Sequence, residues 1–349
     1  MALFPALPQP HHLDVDRQDS AQRVAYEARV HQARAWAKTH AIQPSATDAF
    51  RVGLLLIDMQ NTFCTPGYEL YVAGRSGVGA AEDVQRTAAF IYRHVGRITQ
   101  VVATLDTHQA VQIFHSLFFV DAEGQHPPPY TTVSVGDLEA GRWRFNAPLA
   151  PSIGLHPDDA QAHVLHYART LEARGKYALT IWPYHAMLGS HGHALAPAIE
   201  DALFFHGAAR HTQADLRLKG RHPLTEHYSA LGPEVAVDEQ GGALATLDDD
   251  LIRHLLAFDA LLIAGEAQSH CVAWTVEDLR LAIERHQPDF AQRVYLLDDA
   301  TSPVVVPGAD YTDQAEAAFV RFAQAGMHRV RTTTPWADWP GPVGAQARR

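Results

Sequence analysis

Cysteine is almost missing from this chain: among 349 residues only Cys64 and Cys271 occur. Two thiols cannot build the disulfide framework of a small secreted domain, so the fold must rest on a buried core, for which this length is ample. Positive charge is also scarce. Lys and Arg number 28 against 39 Asp and Glu, a formal net charge of -11, and that balance leaves no electrostatic footprint for nucleic acid or an anionic membrane. The N-terminal segment MALFPALPQPHHLDVDRQDS lacks a charged region followed by an apolar stretch, from which a cytoplasmic protein is expected. No internal repeat or low-complexity array is present. What remains, 47% hydrophobic and 19% charged residues, reads as a soluble globular protein acting on small molecules. The length allows about two domains, or one large α/β domain with insertions.

Residues 1 to about 18 are rich in Pro and His and are expected to be loosely ordered, whereas 21–39 has helical composition and spacing. Short apolar runs follow at 52–57, 101–104, 260–264 and 294–297, with helical patterns such as 78–95 and 244–256 between them. Their length and branched residues predict buried parallel strands in a doubly wound α/β sheet. Ligands of such sheets bind beyond the carboxyl ends of the strands, and Asp58, Asp106 and Cys271 all fall there. The stretch 116–181, with Pro127, Pro128 and Pro129 and the polar aromatic run 141–145, shows little strand-helix alternation and reads as an insertion. The expected layout is an N-terminal extension over 1–50, a core domain over 51–335 and a tail over 336–349.

Cys271, in Gly265-Glu266-Ala267-Gln268-Ser269-His270-Cys271-Val272, stands where the strand 260–264 meets a helical segment at 272–284. A helix start favours negative charge and is expected to lower the thiol's pKa, which suits a nucleophile. An isolated Cys is more often a buried structural residue; the company it keeps argues otherwise. Asp58 closes the first strand with no cation near it in sequence and suits a general base, although a helix cap or turn carboxylate is the commoner use of such a residue. Asp106 and His108 follow the second strand two residues apart, a spacing that aims both side chains at one ligand. His115 lies about two helical turns beyond. His185, in Trp182-Pro183-Tyr184-His185, is a further imidazole, in a chain whose 22 histidines make chance clustering a real competitor. Lys219 follows Leu216 and Leu218; alone it reads as solvated surface.

Taken together, Asp58 in IDMQNTF, Lys219 in LKG followed by HYSAL, and Cys271 in GEAQSHCV resemble the Asp-Lys-Cys triad of the isochorismatase-like cysteine hydrolases. Within that superfamily the chain is most similar to the nicotinamidases (pyrazinamidases), through Asp106-x-His108, His115 in HSLF and Trp182-Pro183-Tyr184-His185. The similarity covers roughly residues 51–115 and 180–335. It implies an α/β fold with a doubly wound, Rossmann-like, mostly parallel sheet flanked by helices. It also implies Asp58 as base, Lys219 as electrostatic support and Cys271 as nucleophile. The oxyanion hole would come from the backbone of Ala267 and Cys271, with a cis peptide between Glu266 and Ala267. One divalent metal, Zn²⁺ first and Fe²⁺ or Mn²⁺ as compatible substitutes, is implied on Asp106, His108 and His185, with His115 as a fourth or water-mediated partner. Phe63, Leu70, Trp182 and His270 would line a flat pocket for a small-molecule amide. A homo-oligomer is expected, and neither nucleic acid nor membrane as partner.

Three departures stand out, of which Glu266 and the long stretch between His115 and Trp182 bear on substrate. Ala186 stands where relatives carry Cys, and Glu266 replaces a small apolar residue beside the nucleophile. The leading expectation is cleavage of nicotinamide to nicotinate and ammonia through a thioester. A related cysteine amidohydrolase for another amide, carbamoyl or ureido compound is the alternative, for which Glu266 and the insertion speak. A catalytically silent binding protein is the remote third, opposed by the intact Asp58, Lys219 and Cys271.

Overall fold

The computed structural model describes residues 6–8, 10 and 23–348. The loose segment expected before residue 18 therefore falls almost wholly outside the described residues. Six strands form one parallel sheet: β1 (Val52–Ile57), β2 (Gln100–Asp106), β3 (Asp215–Lys219), β4 (Ala260–Gly265), β5 (Val294–Leu297) and β6 (His328–Val330). Their order across the sheet is β6-β5-β4-β1-β2-β3. The chain thus winds outward from β1 in one direction, then returns to β4 and winds in the other. The switch between β1 and β4 opens a crevice at the carboxyl edge.

β1, β4 and β5 are buried along their whole length, so their sequences, VGLLLI, ALLIAG and VYLL, are continuous apolar runs with no alternation. The edge strand β3 differs: Leu216 and Leu218 are exposed and Lys219 is buried. Its DLRLK sequence lacks the apolar run of a central strand, which is why sequence pattern alone passed over it. Helices fill the crossovers: α1 (Tyr26–Thr39), α2 (Gly79–Arg93), α3 (Pro157–Ala173), α4 (Pro197–Arg210), α5 (Asp249–Leu256), α6 (Ala273–His286), α7 (Thr312–Gln324) and α8 (Gly341–Ala347). α1 and α2 both pack on α4, while α5 and α7 pack on α6.

Several boundaries move from the sequence reading. α1 begins at Tyr26 rather than 21, and α5 begins at Asp249, after Asp248 caps it by accepting from Leu251 N–H. The 116–181 stretch, in which little strand-helix alternation was expected, contains regular structure. It holds α3, entered through Pro157 at its first turn with Asp158 and Asp159 beside it, and a two-stranded ribbon pairing Phe119–Val120 with Arg144–Phe145. Residues 336–348, expected as a tail, fold over the core with Trp336 and Trp339 buried. No helix among the described residues is long and apolar enough to cross a membrane.

Candidate active site

Adjacent strands deliver the chemistry in register. Asp106 pairs with Lys219 across β2 and β3, and Ile57 pairs with Gly265 across β1 and β4, so Lys219, Asp106, Asp58 and the Cys271 turn follow one another along the carboxyl edge. Asp58 is fully buried in the left-handed region, with φ of 48°. That conformation, which Asp tolerates better than most residues, turns its carboxyl off the strand axis and into the crevice. Thr104 Oγ1 donates to Asp58 Oδ1 at 2.6 Å. Lys219 Nζ lies 2.9 Å from Asp58 Oδ2, 3.1 Å from Asp106 Oδ1 and 3.5 Å from Cys271 Sγ, and it donates to the His227 carbonyl at 2.8 Å. Besides burial, the negative charge of Asp58 raises the pKa of the Cys271 thiol.

Cys271 sits within one π-helical turn, Gln268–Val272, ahead of α6, and is buried. Burial raises its pKa well above the ordinary thiol range, more than Lys219 can offset. This reverses the sequence expectation of a lowered thiol pKa: loss of water costs the thiolate more than the turn and the ammonium return. Burial likewise raises the Asp58 carboxyl, against the pull of Lys219. For Lys219 burial acts downward, but Asp106 and Asp58 outweigh it and hold the ammonium charged. Burial thus raises the proton affinity of the thiol and of the Asp58 carboxyl together, while the ammonium beside them stays charged.

Beside the triad stand Asp106, His108 and His185, all buried, with candidate ligand atoms within 4.8 Å of one another. Nε2 of His108 and of His185 lie 2.8 and 3.7 Å from Asp106 Oδ2. His108 Nδ1 meets the Gly220 carbonyl at 3.1 Å and His185 Nδ1 the Pro183 carbonyl at 2.7 Å. A carbonyl only accepts, so each Nδ1 carries hydrogen and each Nε2 is aimed inward, the usual preparation of metal-binding imidazoles. Gly220, at φ 78°, completes the cradle, since a Cβ there would lie 2.6 Å from Asp106 Oδ1 and 2.7 Å from His108 Cε1. This oxygen and nitrogen donor set fits a divalent ion of the Zn²⁺, Fe²⁺ or Mn²⁺ type. His115 stands apart from the three-residue cluster, its ring 5.9 Å from that of His108 and 6.2 Å from that of His185. Its buried Nε2 has no hydrogen-bond partner, and burial with the neighbouring His185 and His108 lowers its pKa to about 3.

A small, partly open pocket lies against both groups. Phe63, Leu70, Trp182 and His270 line it with Ala267 and Cys271, and burial lowers the pKa of His270 to about 3. The Glu266–Ala267 peptide is cis. Val72, Glu226, Tyr228 and Val304 also line the pocket and were not anticipated. Tyr228 had a signal, lying in the HYSAL run already compared; Glu226, two residues before it, had none. Glu266 does not line the pocket. It is fully buried beside the 268–272 turn, where Ser302 N–H donates to its carboxyl at 3.2 Å and Asp83 stands close enough to add to the rise in pKa that burial imposes. The side chain thus makes its contacts with Ser302 and Asp83 and not with the pocket space.

No protein-family model matches the chain, and no curated protein matches it in sequence. Among solved structures, an Acinetobacter baumanii nicotinamidase/pyrazinamidase superposes at TM-score 0.48 with 19% identity over 82% of this chain and 99% of that one. The yeast nicotinamidase gives TM-score 0.47 and 18% identity over 80% and 99%. The chain is similar in fold to these nicotinamidases. A Pyrococcus horikoshii pyrazinamidase, solved in complex with zinc, gives 0.43 and 18% over 80% and 99%.

Proposed function

We propose that this protein is a metal-assisted cysteine amidohydrolase of the isochorismatase-like superfamily that cleaves a small heteroaryl carboxamide, with nicotinamide, giving nicotinate and ammonia, as the leading substrate. One observation carries the reading: Lys219 Nζ touches Asp58, Asp106 and Cys271 together at one end of an aromatic pocket whose wall includes the His185 side of the ligand cluster.

Asp58 takes the thiol proton while Sγ bonds to the carboxamide carbon. Lys219 keeps its charge throughout and balances the carboxylates around it. The oxyanion forms against the turn that carries Ala267 and Cys271. Asp58 then returns the proton to the departing nitrogen, the C–N bond breaks, and ammonia leaves a thioester on Cys271. Water loses a proton to the same carboxylate as its oxygen bonds to the acyl carbon. The C–S bond breaks, the acid is released and the thiol is reprotonated. Asp106, His108 and His185 would hold the divalent ion, with His115 as an outer or water-mediated partner; when bound, the ion supplies a Lewis acid that orients a ring nitrogen.

A second reading, hydrolysis of a carbamoyl or ureido compound, is favoured by the pocket carboxyl of Glu226. Ammonia release measured over nicotinamide, pyrazinamide and carbamoyl compounds tests both. Cys271→Ala should leave less than about a hundredth of wild-type turnover with folding intact, because a covalent nucleophile is lost. Greater residual activity refutes the mechanism, and no ammonia from any compound in the screen refutes the assignment as an amidohydrolase.

A further inference from the structure

The pocket holds one acidic side chain for which the reaction above has no use. Glu226 is 6% exposed and lines the same cavity as Cys271, Trp182 and Tyr228. The nearby cations are committed elsewhere: Lys219 to Asp58 and Asp106, and Lys176 to Glu234 at 3.2 Å and to the face of Trp274 at 3.8 Å. Among the described residues no ion pair is made to Glu226. Tyr228, whose hydroxyl accepts from Trp182 Nε1 at 2.9 Å, is a neighbour that draws the pKa of Glu226 down against the rise imposed by burial. The Glu226 backbone is anchored at both ends, the N–H to Tyr167 Oη at 3.2 Å and the carbonyl to Glu234 N–H at 2.8 Å. The backbone is therefore fixed, while the carboxyl is desolvated and short of donors.

A buried carboxyl costs free energy unless it is hydrogen-bonded. Nicotinamide offers this wall only ring C–H groups once its carboxamide lies at Cys271 and its ring nitrogen toward His185. Resting on the amidohydrolase reading, we propose that Glu226 is a specificity-determining residue that accepts a hydrogen bond from a second N–H group on the substrate. The substrate class is then a small amide bearing an amino, amidine or ureido donor apart from the scissile carboxamide. Charged or protonated, the carboxyl presents an acceptor oxygen, so recognition does not depend on its ionisation. Trp182 and Tyr228 line the pocket beside it and would face the ring, which divides the pocket into an aromatic slot and one polar contact, a common way of fixing ligand orientation.

The test measures binding apart from turnover. Calorimetric Kd values for nicotinamide and its ring-amino isomers are determined on metal-loaded Cys271→Ala protein, with Glu226 intact, Glu226→Gln and Glu226→Leu. With Glu226 intact, at least one amino isomer should bind about 10-fold or more tighter than nicotinamide. Glu226→Gln, which keeps an acceptor, should preserve most of the preference. Glu226→Leu should erase it, a loss of about 10- to 100-fold on the amino compound alone. Equal preferences in the intact and Leu proteins, or no preference for any isomer when Glu226 is intact, overturn the inference. These outcomes are independent of ammonia release. Failure of every amide to be hydrolysed by the wild-type protein refutes the reaction, while these affinities still decide the role of Glu226.

Discussion

At the scale of single residues, the site depends on how closely backbone and side chains approach one another. Gly220 shows this most directly. A methyl group at that position meets Asp106 Oδ1 at 2.6 Å and His108 Cε1 at 2.7 Å, and the positive φ adds backbone strain for any other residue. Gly220→Ala should therefore displace the ligand cluster while Cys271 and Asp58 keep their places. The expected result is one divalent ion per wild-type chain, an affinity at least about 10-fold weaker in the variant, and a cooperative unfolding transition in both. Undiminished metal binding in the variant would show that the cradle does not hold the ion. His108→Ala provides the control in which a proposed ligand itself is removed.

At the scale of elements, the segment 116–181 is built into the pocket wall. Tyr177 donates to the Ser269 carbonyl at 3.0 Å and packs on His270 with ring centroids 4.7 Å apart, while Tyr130 meets Trp182 edge-on at 6.2 Å. Ser269 and His270 belong to the π-helical turn that carries Cys271, so the segment braces that turn from outside. Tyr177→Ala should loosen His270 and raise KM several-fold, while the rate of Cys271 alkylation by a small reagent changes by less than about 2-fold. A KM that stays put, or an alkylation rate that rises in step with it, would mean that the segment serves folding alone. The segment's α3 was readable in principle. Pro157 at the first turn, acidic residues behind it and buried Ala160, His163, Val164, Tyr167, Ala168 and Leu171 give helical spacing, which the neighbouring prolines and aromatics obscured.

At the scale of the whole molecule, buried ionisable groups set the pH range of stability. His206 is buried against the Ile98 carbonyl at 2.8 Å beside Arg210, and burial lowers its pKa from 6.5 to about 4. A lowered imidazole contributes stability that is complete above the unfolded value of 6.5 and is lost as pH falls through about 4, since the unfolded chain takes up the proton first. His227, lowered to about 4 and also by burial, acts in the same direction. Glu234 opposes them. Burial raises it from 4.5 to about 7, so its contribution is complete below 4.5 and is lost as pH rises through about 7. With imidazoles in the majority, unfolding free energy of the metal-free protein should fall between pH 6.5 and 5. His206→Asn should remove about 2 kcal/mol of that fall, one proton over 1.5 pH units. Urea titrations at the two pH values check it, and equal slopes in wild type and variant would remove His206 from the account.

The sequence by itself determined what each strand carries at its end. A continuous apolar run marks a strand covered on both faces, and chain continuity then fixes Asp58, Asp106 and the Cys271 turn to particular strand ends whatever the sheet order. It also brought Asp106 and His108 to one point, because two residues along an extended backbone share a direction. Only the tertiary structure decided which ends are neighbours. The order β4-β1-β2-β3 lines up Cys271, Asp58, Asp106 and Lys219, and edge strand β3, with no apolar run to announce it, supplies the cation that joins them. Side-chain direction at irregular backbone was likewise beyond sequence pattern. Glu266 adjoins the Cys271 turn and makes its contact with Ser302 outside the pocket, whereas Glu226, remote in sequence, reaches the pocket. The thiol's pKa went the same way, since desolvation is a property of everything packed around a group and no local spacing encodes it.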